Sequence, residues 1–173
     1  MSWFSVDVEA DGPIPGDYSM IEIGAVVVEP GLTKTFHGRL RPISDKWDPP
    51  ALAVSGYSRE LTLKFGDPKV VMQDFGDWIE AVSKGRPQFI ADNNGFDWMF
   101  VCWYFHHFLG WNPFGYSSAN INSLWKGMER DACSSFKWMR KTKHTHNPVD
   151  DARGNAEALL KMQEMGLQIK FDS

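Results

Sequence analysis

The chain has 173 residues, 43% of them hydrophobic and 23% charged, which suits a folded domain with a sizeable core and excludes an intrinsically disordered chain. Acids outnumber bases 22 to 18, for a formal net charge of -4, which argues against a simple cationic coat for nucleic acid. Two cysteines, Cys102 and Cys133, cannot build a disulfide framework and stand in no metal-type pair, so a reducing, cytoplasmic setting is expected.

The first basic residue is Lys34, so the sequence shows no basic leader. The longest apolar run, Met99 to Trp111, contains His106 and His107 and is too short to span a bilayer. No membrane association is expected. No internal repeat or low-complexity run divides the chain, and residues 1–173 read as one domain.

In chain order, residues 2–9 alternate with a period of two, which predicts a strand. Phe4, Val6 and Val8 face one way; Trp3, Ser5, Asp7 and Glu9 face the other. Asp11 to Asp17 holds two Gly and two Pro and reads as a loop. Met20 to Glu29 is apolar and β-branched, a second strand. Glu29-Pro30-Gly31 turns it, and Thr33 to Leu40 reads as a third, antiparallel to the second. Residues 42–68 are rich in Pro and Gly, with a short helix around Pro50 to Val54.

Lys69 to Lys84 carries a helical stripe of Val71, Phe75, Trp78, Ile79 and Val82, with Gly85 placed to end it. Pro87 to Ala91 is a short apolar strand. Phe96 to Leu109 is apolar nearly all round and predicts a buried helix. Asn120 to Arg130 reads as a strand end and a helix, and Asp150 to Met165 as a helix stopped by Gly166. Three strands followed by alternating helices and strands predict an α/β fold with a mixed sheet.

Asp7 and Glu9 project from one strand face, where like charges raise each other's pKa unless a cation offsets them. Such a pair alone also fits a solvated strand face. Asp97 and Asp151 each open a helix, where an acid often serves as a cap, and Asp150 is a rival for the second cap. Together, four acids lie at strand ends and helix starts, where α/β folds assemble their sites. Four carboxylates suit Mg²⁺ or Mn²⁺, and a pair of such ions about 3.5–4 Å apart clamps both oxygens of a phosphoryl displacement. His146 precedes Asp151 by five residues. With an ordinary pKa near 6.5, it suits general-base work near neutral pH.

Three ordered motifs carry a resemblance. Asp7-Val8-Glu9 resembles the DxE motif of the DEDDh 3′–5′ exonucleases. Asn93-Asn94-Gly95-Phe96-Asp97 resembles their Asn-x-x-Phe-Asp, and His146-Asn147-Pro148-Val149-Asp150-Asp151-Ala152 their His-x4-Asp-Ala. Ile21-Glu22-Ile23-Gly24-Ala25-Val26 is similar to the family's second strand, and Pro50-Ala51-Leu52-Ala53-Val54-Ser55-Gly56 to the segment before its first long helix. The match runs from about residue 4 to residue 160.

The resemblance implies an RNase H-like fold, a mixed five-stranded sheet flanked by helices. It implies stepwise removal of nucleotides from a 3′ end, releasing nucleoside 5′-monophosphates. Asp7, Glu9, Asp97 and Asp151 would hold two Mg²⁺ or Mn²⁺, His146 would be the base, and Glu9 would also hold the terminal 3′-OH. His144 does not fit the motif, since the residue five places on is Val149. The sequence departs from the family at Ala10, at Ser55 and at Asp92, where many members have Thr, His and His. Ala10 and Ser55 therefore stand at expected contacts to the terminal nucleotide with altered side chains.

Between Ser134 and Val149 lie Lys137, Arg140, Lys141 and Lys143, with Trp138 among them and no acid. Lys137, Arg140 and Lys141 are expected to contact phosphates; a solvated basic loop is the plainer reading. His144-Thr145-His146 hints at a transition-metal site but has no third soft ligand nearby in sequence. No GxSxG elbow or P-loop is present, so serine-hydrolase and NTPase readings lack support. RNA is favoured over DNA, by analogy with small free-standing family members, which also suggest a homodimer. The alternatives are a DNA exonuclease and a catalytically silent nucleic-acid-binding module.

Overall fold

The computed structural model describes residues 1–169. Its frame is a five-stranded sheet in the order β3-β2-β1-β4-β5. Strand β1 (Ser2–Ala10) is antiparallel to β2 (Met20–Val27), which is antiparallel to β3 (Thr35–Arg39). Strands β4 (Pro87–Ala91) and β5 (Ser118–Asn120) continue from β1 in parallel. This is the expected mixed sheet, with β1 at its centre.

The alternation of β1 is realised on both faces. Phe4, Val6 and Val8 enter one core with Met72, Phe75 and Ile79 of helix α3 (Pro68–Val82) and Phe100, Val101, Tyr104 and Phe105 of α4 (Asn94–Leu109). Trp3 joins a second core on the other face. That core is built from Ile121 and Trp125 of α5 (Ile121–Glu129) and Ala152, Ala156, Leu159 and Met162 of α6 (Pro148–Glu164). Asp7 and Glu9 share Trp3's side of the strand and so belong to the α6 layer.

The boundaries differ from the sequence reading in ways that have local causes. β2 stops at Val27 and β3 begins at Thr35, because Gly31 and Leu32 both take positive φ in a wide turn. Helix α3 starts one residue earlier, capped by Asp67, whose carboxylate accepts from the amides of Lys69 and Val70. It ends at Val82 with Ser83 extended. Gly85, at φ +85°, therefore serves the turn into β4 and not the end of the helix. Helix α1 (Pro49–Val54) is where the sequence places it. The short α2 (Arg59–Thr62), capped by Ser58, and a 3-10 turn at Lys137–Met139 carry too few residues to show a period.

One close approach fixes the site. Gly24 of β2 lies opposite Asp7. A Cβ there would stand 2.3 Å from the Pro148 carbonyl carbon and 2.4 Å from the Val149 nitrogen. Only glycine lets the first turn of α6 rest on the sheet beside Asp7.

Candidate active site

The site forms where β1 ends and where α4 and α6 begin. Asp97 and Asp151 sit in the first turns of their helices, yet neither is a cap. Asn147 caps α6, its side chain accepting from Val149 and Asp150. Asp97 instead accepts from the Val8 backbone N–H at 3.0 Å, which ties α4 to β1. Asp151 accepts from the N–H groups of Thr145 at 3.1 Å and His146 at 3.0 Å. The capping expectation for the two aspartates thus gives way to a role in joining elements.

Asp7, Glu9 and Asp151 each offer a carboxylate oxygen, and these lie within 4.8 Å of one another. Asp97 and Asp151 are buried and Glu9 nearly so. Asp97 stands outside that close set but shares its field. The Asp7 carboxyl is held well above its ordinary range, first by burial, then by Asp97, Asp151 and Glu9. Arg140 only partly opposes this. Glu9 is pushed up to about 8 by burial, with Asp151, Glu22 and Asp97 adding. Asp97 is pushed up to about 7 by burial, against the pull of the Val8 amide. Oxygen donors crowded in so little water, with so few cations of the protein's own, fit a hard divalent ion.

His146 completes the cluster. Its Nδ1 lies 3.7 Å from Glu9 Oε1, and its side chain is about half exposed. The residue takes φ +59°, a left-handed conformation that histidine adopts more readily than most side chains, and its amide and ring both address the acids. His144, which the motif leaves aside, also reaches the site: its Nδ1 is 2.9 Å from Asp151 Oδ1. Nothing in the linear spacing signals that contact, because it depends on the turn at His146.

A cleft of about 360 Å³ opens beside Glu9, lined by Ala10, Gly12, Pro13, Asp48, Ala51, Val54 and Phe96. Ala10 therefore faces the space next to the acids. Ser55 lies at the end of α1, and its hydroxyl is spent on the Leu52 carbonyl at 2.7 Å.

The basic stretch divides. Arg140 is not a free phosphate contact: its buried guanidinium meets Asp92 at 3.1 Å, bonds Asn155 and lies over Phe136. Lys137 is exposed but within 3.5 Å of the same Asp92 carboxylate. The aspartate that replaces the family's histidine thus docks this loop. Lys141 lines a separate cleft of about 550 Å³ with Leu32, Trp138, Arg153 and Lys161, on the flank of α6, away from the acids.

Two further buried acids, Asp11 and Glu22, escaped the sequence reading. Glu22, opposite Glu9 in the β1–β2 register, accepts from Tyr57 Oη at 2.8 Å and Arg39 Nε at 3.2 Å and lies 2.6 Å from His37 Nε2. Its place in a strand of apolar residues was the only available signal.

No protein-family model matches the chain. The 3′–5′ DNA exonuclease Cap18 of Escherichia coli is 38% identical over 182 residues, covering 97% of this chain and 95% of the relative. The nuclease domain of 3′hExo, a DEDDh family member bound to rAMP, superposes with a TM-score of 0.78 at 16% identity, covering 99% of this chain and 96% of that one. Escherichia coli Exonuclease I in complex with a dT13 oligonucleotide superposes with a TM-score of 0.73 at 12% identity, covering 96% of this chain and 42% of that one. At these identities the two structures speak for the fold.

Proposed function

The chain belongs to the DEDDh family of 3′–5′ exonucleases, and from that premise we propose that it removes nucleotides stepwise from the 3′ end of DNA. The observation that carries the chemistry is the convergence of Asp7, Glu9, Asp97 and Asp151 with His146 at one end of the sheet. The observation that favours DNA is the relative named a DNA exonuclease, matched along nearly its whole length. The sequence reading favours RNA by analogy of size alone, which is a weaker ground.

In this reading the four acids hold two divalent ions, Mg²⁺ or Mn²⁺. When bound, such ions neutralise developing charge and polarise the phosphoryl oxygens. Asp151, fixed by two backbone amides, and Asp97, fixed by a third, are held in place before any ion arrives. His146 takes a proton from water and passes it to solvent through its exposed side. Glu9, at the rim of the cleft with Ala10, orients the terminal 3′-OH. Ala10 brings only its backbone and a methyl group to that contact, and Ser55 acts through the position of α1.

Lys137 and Lys141 remain the candidates for phosphate contacts, since Arg140 is committed inside the protein. Two free cysteines suit a reducing, cytoplasmic setting. Among the described residues no helix is long and apolar enough to cross a membrane.

The test offers matched 3′-overhang and single-stranded oligomers of DNA and RNA, with Mn²⁺ or EDTA, and follows products with time. Metal-dependent release of deoxynucleoside 5′-monophosphates is expected. Release from RNA alone moves the assignment to an exoribonuclease, and tight binding without turnover moves it to a silent binding module.

A further inference from the structure

The pair His144 and His146 has no third ligand nearby in sequence, but the fold supplies one in the carboxylate of Asp151. The turn at His146 brings both imidazoles onto the start of α6, with ring centroids 4.3 Å apart. One atom from each of His144, His146 and Asp151 lies within 4.8 Å of the other two. Asp151 is the rigid member, buried and bonded to two amides, while both rings are about half exposed and His144 Nδ1 already lies 2.9 Å from its carboxylate. Two imidazoles and one carboxylate form a donor set for a borderline-soft ion, bound at about 2.0–2.1 Å from nitrogen with water in a fourth position. Mg²⁺, which prefers oxygen, is a poor match for it.

We propose that His144, His146 and Asp151 form a site for a transition-metal cation such as Zn²⁺ that overlaps the catalytic centre at Asp151, and that filling it withdraws His146 from the reaction and halts hydrolysis. Asp151 faces both this site and the cluster of Asp7 and Glu9, so an ion bound here sits at the edge of the catalytic centre without using Asp7 or Glu9. The inhibitory half rests on the reading of His146 as the base; the binding half does not.

Calorimetry with Zn²⁺ tests the binding half on metal-stripped protein in excess Mg²⁺. Wild type is expected to bind Zn²⁺ that Mg²⁺ does not displace. His144→Gln, at a half-exposed side chain whose fold circular dichroism would check, is expected to weaken this about tenfold or more, since even an outer-shell partner is worth that much to a metal site. In the oligomer assay the same variant should need about tenfold more Zn²⁺ for equal inhibition, and a chelator should restore the wild-type rate. Equal Zn²⁺ affinity in both proteins, or full displacement by Mg²⁺, overturns the proposal. Should the protein degrade no nucleic acid, the exonuclease reading fails while calorimetry still decides the metal site.

Discussion

Glu9 and Glu22 face each other across one strand pair, both carboxylates largely removed from water, and their surroundings are opposite. Glu22 is met by an arginine and a histidine of β3 and by Tyr57 from the segment after α1. Glu9 has one half-exposed histidine at 3.7 Å and, besides Glu22, the acids Asp7, Asp97 and Asp151 around it. A buried charge with its own partners can stay ionised; one left among like charges takes up a proton unless a cation reaches it. Asp11, paired with Arg59 at 2.6 Å and with the Ser19 amide at 2.5 Å, falls with Glu22 on the structural side.

Breaking the first cluster should cost activity without stability. Asp7→Asn is expected to lower hydrolysis by roughly 10⁴-fold or more, as for a group that acts within a catalytic unit. It should also raise the melting temperature in EDTA, because it removes repulsion. His146→Ala should lower kcat by about 10²–10⁴-fold with an unchanged melting temperature. A variant at either position that keeps the wild-type rate on a 3′-labelled oligomer would remove the residue from the mechanism.

Breaking the supports should do the reverse. Gly24→Ala forces a methyl group into the backbone of α6 and should cost about 1–3 kcal/mol in denaturant unfolding, with activity falling alongside. Glu22→Gln should cost about 1–3 kcal/mol by leaving its donors poorly matched. Its loss of rate should be no larger than its loss of folded protein.

The smallest effect is a pH dependence. The carboxyls of Asp7, Asp97 and Glu9 are raised above the value of about 4 that they have in an unfolded chain. Between those limits the folded protein holds protons that the unfolded chain has lost. Their contribution to stability is full below about pH 4 and is lost as the pH rises through about 7 for Asp97 and about 8 for Glu9. Protein in EDTA should therefore melt several degrees lower at about pH 8 than at about pH 5.5, at roughly 2–4 °C per kcal/mol for this chain length. Mg²⁺ should narrow that gap. A melting temperature that rises with pH in EDTA would contradict the account of the cluster.

Much of this was legible in residue order. The period of β1 placed Asp7 and Glu9 on one face, away from Val6 and Val8, and the spacing from His146 to Asp151 put a histidine beside a helix start. What escaped was set by tertiary contacts. Asp97 and Asp151 look like caps until Asn147 is seen to cap α6 and the Val8 amide to claim Asp97. Arg140 reads as a surface cation until Asp92 and Asn155 enclose it. His144 reads as a spectator until the positive φ at His146 turns it onto Asp151.

The most direct test is the binding of Mn²⁺, followed by electron paramagnetic resonance, to wild type, Asp7→Asn and Glu22→Gln. Wild type and Glu22→Gln should bind alike, and Asp7→Asn should lose affinity. Equal binding by Asp7→Asn, or an equal loss in Glu22→Gln, would contradict the division between an acid cluster kept for metal and one closed within the protein.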